Sequence, residues 1–363
     1  MEGCNMKQEH RLLVINPGST STKIAVYEGE SPLIEKKLEH SPEELNKFQD
    51  IIDQYDFRKD SILNFLDEQG MNFNKLDAVV ARGGLLKPIS GGTFKVNDLM
   101  VEHLRQGYQG EHASNLGGII AKEISNQLDI PAYIVDPVVV DELQDIARIS
   151  GFEPIERKSI FHALNHKAVA RKAAAQLGKK YEEANLVVVH LGGGISVGAH
   201  NCGDVIDVNN ALDGEGPFSP ERSGGLPNGD LVRYIDEHNL TWKELKRQLV
   251  GNGGLVSYLD TNDGKKVQEM IQSGDEKAEK VYEAMIYQIA KEIGSCAVVL
   301  KGELDAIVLT GGLAHDEYLV SRMKEYIKFL GEILVFPGED EMQSLAEGGL
   351  RVLRNEETPK DYS

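Results

Sequence analysis

Five short apolar segments of this chain each end in a polar residue, and glycines follow closely after four of these residues. The polar residues are Asn16, Arg82, Asp136, His190 and Thr310. Short β-branched runs are typical of buried strands, and ligands of open α/β sheets bind beyond the carboxyl ends of the strands. Glycine at these ends lets backbone N–H groups approach phosphate oxygens. One such ending is ordinary turn chemistry, but five together favour an α/β fold with a nucleotide or phosphate site.

A strand–turn–strand plan occurs twice, 174 residues apart. Residues 12–16 lead through a small-residue turn into residues 23–27, and residues 186–190 lead through three glycines into residues 195–199. The sequence identity between the two copies is slight, so internal duplication and a chance similarity of pattern both stay open. At about 150 residues per domain, the 363 residues predict two similar α/β domains with a boundary near residue 150.

Helical composition alternates with the apolar runs. The predicted helices are residues 111–128, 162–177 (closed by Gly178), 277–300, 318–330 and 341–354, and the further predicted strands are 77–81, 132–135, 205–208 and 306–309.

Charge and cysteine usage exclude several classes of protein. The 39 basic and 58 acidic residues give a net charge of −19, which disfavours a nucleic-acid or anionic-membrane partner. No apolar stretch reaches the roughly 18 residues of a membrane span, and the first residues lack the apolar region of a signal peptide. Cys4, Cys202 and Cys296 are odd in number and widely spaced, which argues against a disulfide framework or a zinc cluster. A cytoplasmic protein is expected.

The known nucleotide motifs narrow the kind of phosphate site. The G-x-x-x-x-G-K-[ST] loop is absent from the sequence, and the G-x-G-x-x-G pattern fails because Val197 stands where the third glycine belongs. The motifs of protein kinases are missing as well. The remaining interpretation is a hairpin cradle, in which a β-turn of small residues surrounds the phosphates.

Five segments, in collinear order over essentially the whole chain, resemble the acetokinase family of the sugar-kinase, Hsp70 and actin superfamily. They are residues 16–23 (NPGSTSTK), 161–166 (FHALNH), 190–196 (HLGGGIS), 220–224 (PERSG) and 310–312 (TGG). The resemblance implies an α/β fold of two duplicated actin- or ribonuclease H-like domains with a nucleotide cleft between them. It implies that residues 1–150 and 341–363 form the acyl-substrate and phosphate domain, and residues 151–340 the nucleotide domain.

The resemblance also implies an activity. Members of the family transfer the γ-phosphoryl group of ATP, bound with Mg²⁺, to a carboxylate, which gives an acyl phosphate and ADP. Such a transfer depends on positioning and charge neutralisation, and the ionised carboxylate needs no general base. The implied partners are ATP or ADP and a short-chain fatty acid or its acyl phosphate, and a homo-oligomer is expected.

Catalytic roles follow from the resemblance residue by residue. Arg82 and Arg222 match two active-site arginines, whose guanidinium groups can hold carboxylate or phosphoryl oxygens. His166 matches the histidine that contacts the transferred phosphoryl group, whereas His162 is expected to be structural. Asp136 matches an aspartate that orients an arginine or holds Mg²⁺ through water.

The remaining matches concern the nucleotide and the metal. The nucleotide-binding residues implied are Asn16, Ser19, Ser21, Lys23, His190, Gly192, Gly193, Gly194, Thr261, Asn262, Gly311 and Gly312. Glu341 matches the magnesium-associated glutamate, and Glu339 lies close enough in sequence to leave this alignment ambiguous. Because Mg²⁺ keeps several waters, few protein ligands are expected.

The residues predicted to line the acyl pocket differ from those of the family's acetate-specific members. Gly83 and Gly84 stand where those members carry valines, and His112 matches a second histidine near the acyl substrate. Two glycines are expected to leave room for a longer chain, as in the family's butyrate-specific members. At about 0.8 kcal/mol per buried methylene, butyrate should be favoured over acetate by more than about tenfold. A branched-chain (isobutyrate or isovalerate) kinase, an acetate or propionate kinase, and a nucleotide-switch interaction protein on the same scaffold stay open as alternatives.

Overall fold

The computed structural model describes residues 9–71 and 75–363, so Cys4 and most of the segment tested for a signal peptide lie outside the described residues. The strands are β1 Arg11–Pro17, β2 Ser21–Glu28, β3 Ser31–Glu39, β4 Ala78–Arg82, β5 Thr93–Lys95, β6 Ala132–Val135, β7 Ile149–Phe152, β8 Ile155–Glu156, β9 Asn185–Leu191, β10 Ile195–Asn201, β11 Asp204–Val208, β12 Ala306–Gly311, β13 Glu332–Pro337 and β14 Lys360–Asp361. The α-helices are α1 Pro42–Leu45, α2 Tyr55–Glu68, α3 Asp98–Gln106, α4 Asn115–Leu128, α5 Asp145–Arg148, α6 Ala163–Gln176, α7 Asn228–His238, α8 Trp242–Leu249, α9 Gly254–Leu259, α10 Gly264–Gln272, α11 Glu276–Val299, α12 Glu317–Ile327 and α13 Glu341–Leu353.

The chain forms two compact units. The first comprises Met1–Val140 and Asp340–Ser363, and the second comprises Asp141–Glu339. The division after Val140 falls ten residues before the expected boundary near residue 150, and the return to the first unit falls at residue 340.

Each unit contains a sheet with the same five-strand arrangement. The first unit has the order β14-β5-β6-β4-β1-β2-β3, and the second has β11-β10-β9-β12-β13. In both sheets three consecutive antiparallel strands form a meander. On the other side of the first strand of the meander, two further strands follow that run parallel to it. The strand–turn–strand plan seen twice in the sequence therefore opens the sheet of each unit.

Helices cover both faces of the first sheet. The apolar side chains of α2 and α4 pack on one face, whereas α13 packs on the other through Gly348 and Gly349. A Cβ atom on Gly348 would lie 2.5 Å from Val135, and one on Gly349 would lie 2.5 Å from Val80. The two glycines thus let α13 approach the sheet closely, which places the N-terminus of α13 beside the ends of β1 and β4.

The second sheet is covered in the same way. The alanine-rich α6 packs on one face and the long α11 on the other. The predicted end of α6 is confirmed, because Gly178 adopts a φ of +72° and its N–H donates to Ala175 O at 3.0 Å. The predicted start of the helix at residue 111 is wrong: α4 begins at Asn115, because His112 and Ser114 form a hydrogen-bonded turn before it. Within residues 9–71 and 75–363, no helix has both the length and the apolar character needed to cross a bilayer.

Candidate active site

In the first unit, Glu341 joins the ends of two neighbouring strands. Its Oε2 accepts a hydrogen bond from Nδ2 of Asn16, near the end of β1, at 2.8 Å. Its Oε1 lies 2.8 Å from Nη1 of Arg82, the last residue of β4, whose side chain remains 36% exposed. The three predicted residues are therefore brought together, and the guanidinium group keeps a face open to solvent.

The turn between β1 and β2 is held by a residue that sequence reasoning missed. Arg58 of α2 is fully buried and donates to the carbonyl oxygens of Gly18 at 2.9 Å, Ser19 at 3.1 Å and Ser21 at 3.1 Å. Burial lowers the pKa of Arg58 to about 10, so it remains a cation at neutral pH. Nothing in the sequence separates this arginine from a solvent-exposed helical one.

Lys23 and Asp136 lie at two further strand ends. Lys23 is exposed and stands across from Asn16 in the register of β1 and β2, so both side chains share one face of the sheet. Asp136 is buried, adopts a φ of +38°, and its Oδ1 accepts a hydrogen bond from Gly92 N at 2.6 Å. A left-handed backbone at a buried aspartate is uncommon, and here this carboxylate oxygen holds the backbone of a neighbouring loop.

The two glycines after Arg82 do not leave an empty space. A Cβ atom on Gly83 would lie 2.6 Å from Cβ of Pro137, and one on Gly84 would lie 2.6 Å from Cα of Asn115. Asn115 also ties this segment to α4, because its Oδ1 accepts a hydrogen bond from Leu85 N at 2.8 Å. The expectation that the missing side chains vacate volume is wrong at these two positions, since the start of α4 and Pro137 fill it.

His112 lies in the turn before α4. Its Nδ1 accepts a hydrogen bond from Ser114 N at 3.2 Å, so the neutral ring carries its proton on Nε2. Partial burial and the positive charges of Arg82 and Arg58 lower the pKa of His112, although the ring keeps an exposed edge.

In the second unit, Arg222 packs directly on the glycine turn that joins β9 and β10. A Cβ atom on Gly194 would lie 2.7 Å from Cζ of Arg222, so only glycine admits the guanidinium group at this distance. Nη1 of Arg222 donates a hydrogen bond to Ala211 O, and Ser219 Oγ donates to Gly193 O at 2.6 Å. Burial lowers the pKa of Arg222 from its high ordinary value. These contacts hold the loop that contains Ser219 and Arg222 against the glycine turn between β9 and β10.

Thr261 and Asn262 are two of the predicted nucleotide-binding residues, and of these two only Asn262 is connected to the glycine turn, through a hydrogen bond to Glu221. Its Nδ2 donates to Oε1 of Glu221 at 2.6 Å, and Oε2 of Glu221 would lie 3.4 Å from a Cβ atom on Gly193. Thr261 is buried, and its Oγ1 accepts a hydrogen bond from Asp263 N at 3.2 Å. Its hydroxyl therefore stabilises the turn that precedes α10.

The two candidate magnesium glutamates belong to different units. Glu339 lies with Oε1 3.4 Å from Nε2 of His190, whereas Glu341 is the residue that contacts Asn16 and Arg82 in the first unit. Nδ1 of His190 is hydrogen-bonded to Oδ1 of Asn165 at 2.8 Å. Among residues 9–71 and 75–363, no group of three or more His, Cys, Asp or Glu side chains is arranged to hold a metal ion.

The paired glycines at the end of β12 differ in their surroundings. Gly311 adopts a φ of +89°, and a Cβ atom there would lie 2.7 Å from the backbone nitrogen of Leu191. A Cβ atom on Gly312 would meet no described atom within 4 Å. Gly311 is thus required by a close backbone approach, and Gly312 faces open space.

The histidine assigned to the phosphoryl group is not accessible. His166 is fully buried, with Nε2 2.8 Å from Ser196 Oγ and Nδ1 3.2 Å from Nε2 of His200. Burial lowers its pKa well below the ordinary value, so the ring is neutral. His162 is only half-buried, and its ring stacks on that of His190 with centroids 3.7 Å apart. His166 is thus enclosed, whereas part of the His162 ring remains accessible.

Comparison with known proteins identifies relatives of the chain. The sequence model of the acetokinase family matches residues 153–355. The fold is similar to that of Porphyromonas gingivalis acetate kinase, which is 19% identical with a TM-score of 0.78 and covers 95% of this chain and 100% of that one. A propionate kinase from Francisella tularensis is 21% identical with a TM-score of 0.69 and covers 93% and 98%. The acetate kinase of Entamoeba histolytica is 15% identical with a TM-score of 0.76 and covers 95% and 100%. The predicted α/β fold is confirmed, and these acetate kinases share it.

Proposed function

The chain belongs to the acetokinase family of carboxylate kinases, and we propose that its own reaction is butanoate + ATP → butanoyl phosphate + ADP. The single observation that carries this proposal is the fixed position of Arg222 on the three-glycine turn. A guanidinium group held beside backbone N–H groups suits the neutralisation of a phosphoryl group in transfer.

The two arginines are proposed to act on different parts of the reactants. Arg82 is proposed to bind the carboxylate of the fatty acid, and its ion pair with Glu341 supports this role by holding the Nη1 end of the guanidinium group. Arg222 is proposed to neutralise the γ-phosphoryl group, whose charge spreads over three oxygens during transfer. No general base is included, because the acid is already ionised at neutral pH.

The nucleotide is proposed to use two glycine- and serine-rich turns. The contacts proposed are those of Asn16, Ser19, Ser21, Lys23, His190, Gly192, Gly193, Gly194, Asn262, Gly311 and Gly312. Support comes from Arg58, which fixes the first turn, and from the close packing of Arg222 on the second. Mg²⁺ would balance the phosphate charge, and Glu341 is proposed as its associated carboxylate.

His162 replaces His166 as the histidine proposed to contact the phosphoryl group. Two observations support the change: His162 is half-buried next to His190, and His166 is enclosed with both ring nitrogens hydrogen-bonded. His112 is proposed to lie near the acyl group, where its Nε2–H can donate to a carboxylate oxygen.

The preference for butyrate is proposed on the likeness of the Arg82-Gly83-Gly84 segment to the family's butyrate-specific members, and not on space beside the glycines, which Pro137 and Asn115 fill. A valine at either glycine would collide with Pro137 or Asn115, so the valines of the acetate-specific members do not fit this backbone. Where the acyl pocket buries the two additional methylenes of butyrate, at about 0.8 kcal/mol each, the preference over acetate is more than about tenfold.

A substrate panel tests the proposal. The purified chain is incubated with Mg²⁺, ATP and one of acetate, propionate, butyrate, isobutyrate or isovalerate, and the acyl phosphate is trapped as its hydroxamate. The highest kcat/KM is expected with butyrate, and Arg222→Ala should lower it by more than about a hundredfold. Arg233→Ala, which removes an exposed arginine paired with Asp230, is the matched control and should retain activity. A higher kcat/KM on isobutyrate, isovalerate or acetate would reassign the substrate, and ATP binding without acyl phosphate from any acid would favour a nucleotide-switch protein.

A further inference from the structure

Arg58 lies behind the turn that joins β1 and β2, and its guanidinium group uses all three of its nitrogen atoms there. Nη1 donates to the carbonyl oxygens of Gly18 at 2.9 Å and Ser21 at 3.1 Å, and Nη2 donates to that of Ser19 at 3.1 Å. Nε and Nη2 also donate to Oε1 of Gln54, at 3.0 and 2.9 Å, which holds the group at its other edge. The fork of the guanidinium group therefore sets the direction of three carbonyl groups of one turn.

The directions of these carbonyl groups determine where the N–H groups of the turn point. In a planar trans peptide, the N–H group of one residue points away from the carbonyl oxygen of the residue before it. The N–H groups of Ser19 and Thr20 therefore point away from Arg58, and both residues are exposed. The carbonyl oxygen of Thr20 accepts a hydrogen bond from His40 N at 2.9 Å, so the carbonyl oxygens of residues 18–21 all bind donors of the protein itself. The exposed side of the turn thus presents two N–H donors, an arrangement that suits an anion.

The positive charge of Arg58 is not balanced by a carboxylate at these contacts. Its acceptors are the three carbonyl oxygens, Oε1 of Gln54 and, at 3.0 Å, Oγ1 of Thr22, and all of them are uncharged. Arg58 is fully buried and remains a cation at neutral pH, because burial lowers its pKa only to about 10. Arg148 and Arg157 also donate to backbone carbonyl oxygens, but each is paired with an aspartate.

The electric field of Arg58 extends beyond its own hydrogen bonds. Together with burial and the charge of Arg82, the charge of Arg58 lowers the pKa of His112, which lies outside the turn. A buried charge is screened less by water than an exposed one, so its field is stronger at a given distance. The N–H groups of Ser19 and Thr20 lie only one peptide group away from the guanidinium group, and the field there favours a negative charge.

We propose that Arg58 is a positioning residue for a phosphate group of the nucleotide, because it directs the N–H groups of Ser19 and Thr20 outward and supplies the positive charge that the bound phosphate balances. Arg58 does not touch the phosphate, since the peptide groups of the turn stand between them. Thr20 joins the proposed nucleotide-binding residues through its backbone N–H group. The inference rests on the function proposed above, which brings a phosphate to this turn.

The direct test observes the two N–H groups in the full wild-type chain. Protein labelled with ¹⁵N-serine and ¹⁵N-threonine is titrated with inorganic tripolyphosphate and, separately, with ATP, and ¹H–¹⁵N correlation spectra are recorded. Ser19→Ala and Thr20→Val identify the two resonances by their loss. Both amide protons are expected to shift downfield with either titrant, because a hydrogen bond to an anion deshields the proton. Resonances that both titrants leave unmoved would overturn the proposal.

Arg58→Lys tests the role of the guanidinium fork. Lysine keeps the charge but has one ammonium group in place of the fork that holds several carbonyl oxygens at once. We expect the Kd for tripolyphosphate and for ATP, measured by calorimetry, to rise between about 10- and 100-fold, with little change in the KM for the fatty acid. Lys59→Met is the matched control, because it removes a positive charge from the next position of α2, where Lys59 pairs with Asp56 at 3.0 Å. An unchanged Kd in Arg58→Lys, or an equal rise in both variants, would contradict the role of Arg58.

The spectra and the assays separate the two proposals. A chain whose two resonances shift with tripolyphosphate, but which forms no acyl phosphate from any acid, would refute the proposed function and leave the role of Arg58 intact. A chain that forms butanoyl phosphate while the two resonances stay unmoved would refute the role of Arg58 and leave the function intact. If Arg58→Lys does not fold, Gln54→Ala releases one edge of the guanidinium group and should raise the same Kd, and an unchanged Kd would count against Arg58.

Discussion

Gly194→Ala tests whether the position of Arg222 matters more for activity than for stability. The added methyl group would lie 2.7 Å from Cζ of Arg222, whereas unstrained carbon–carbon contacts begin at about 3.5 Å. Nη1 of Arg222 would lie nearer still to the methyl group, so the guanidinium group must withdraw by more than about 1 Å from the turn, and it can do so because it ends a flexible side chain. A displacement of about 1 Å in a reacting geometry can lower a rate by about a hundredfold, or about 2.7 kcal/mol in the activation barrier.

The assay compares two variants of the same turn. Hydroxamate formation gives kcat, and urea denaturation gives the free energy of unfolding, which Gly194→Ala should change by less than about 1 kcal/mol. In Gly193→Ala the nearest atom, Oε2 of Glu221, would lie at an ordinary 3.4 Å, so a much smaller loss of kcat is expected. If Gly194→Ala retains wild-type kcat, or if both variants lose activity equally, Arg222 is not needed where it lies on the turn.

Three further predictions follow from the packing, the metal and the buried histidines. Gly84→Val should lower the free energy of unfolding by about 3 kcal/mol, because its Cβ would lie 2.6 Å from the backbone of Asn115; a wild-type urea midpoint would contradict this. Glu341→Gln should raise the Mg²⁺ concentration for half-maximal activity by about tenfold, and an unshifted titration would remove Glu341 from the metal's environment. Because the pKa values of His166 and His200 are depressed in the folded chain, the unfolded chain takes up protons first as the pH falls below about 6.5. Stability should therefore decrease from pH 7 to pH 5.5, and a His200→Gln variant whose urea midpoints fall as steeply would argue against this cause.

The fold could be read from the sequence because its strands are short, apolar and buried on both faces. Their pattern gave the repeated strand–turn–strand plan and the polar residues at the strand ends, among them the Asn16 and Arg82 that Glu341 joins. The predicted start of α4 is too early, because the polar turn around His112 has the composition of a helix and its hydrogen bonds alone distinguish it as a turn.

What the sequence does not show about the site has one physical cause, which is that a motif does not show where a side chain points. His162 and His166 lie one helical turn apart, and only the packing of α6 shows that the second is enclosed. The glycines after Arg82 predict empty space, but a missing Cβ also lets other backbone approach closely, as that of Asn115 does at Gly84. The sequence does not single out Arg58, since its role arises from hydrogen bonds to three carbonyl oxygens of a turn distant in the chain.

The adjoining glycines at the end of β12 differ in their tolerance of change. At Gly311 a positive φ and the nearby backbone of Leu191 forbid any side chain, whereas at Gly312 the direction of a side chain is open among the described atoms. A library randomised at both positions should therefore recover glycine alone at the first and many residues at the second. Of these two glycines, Gly312 is therefore the one at which natural or laboratory selection can vary the side chain on this turn.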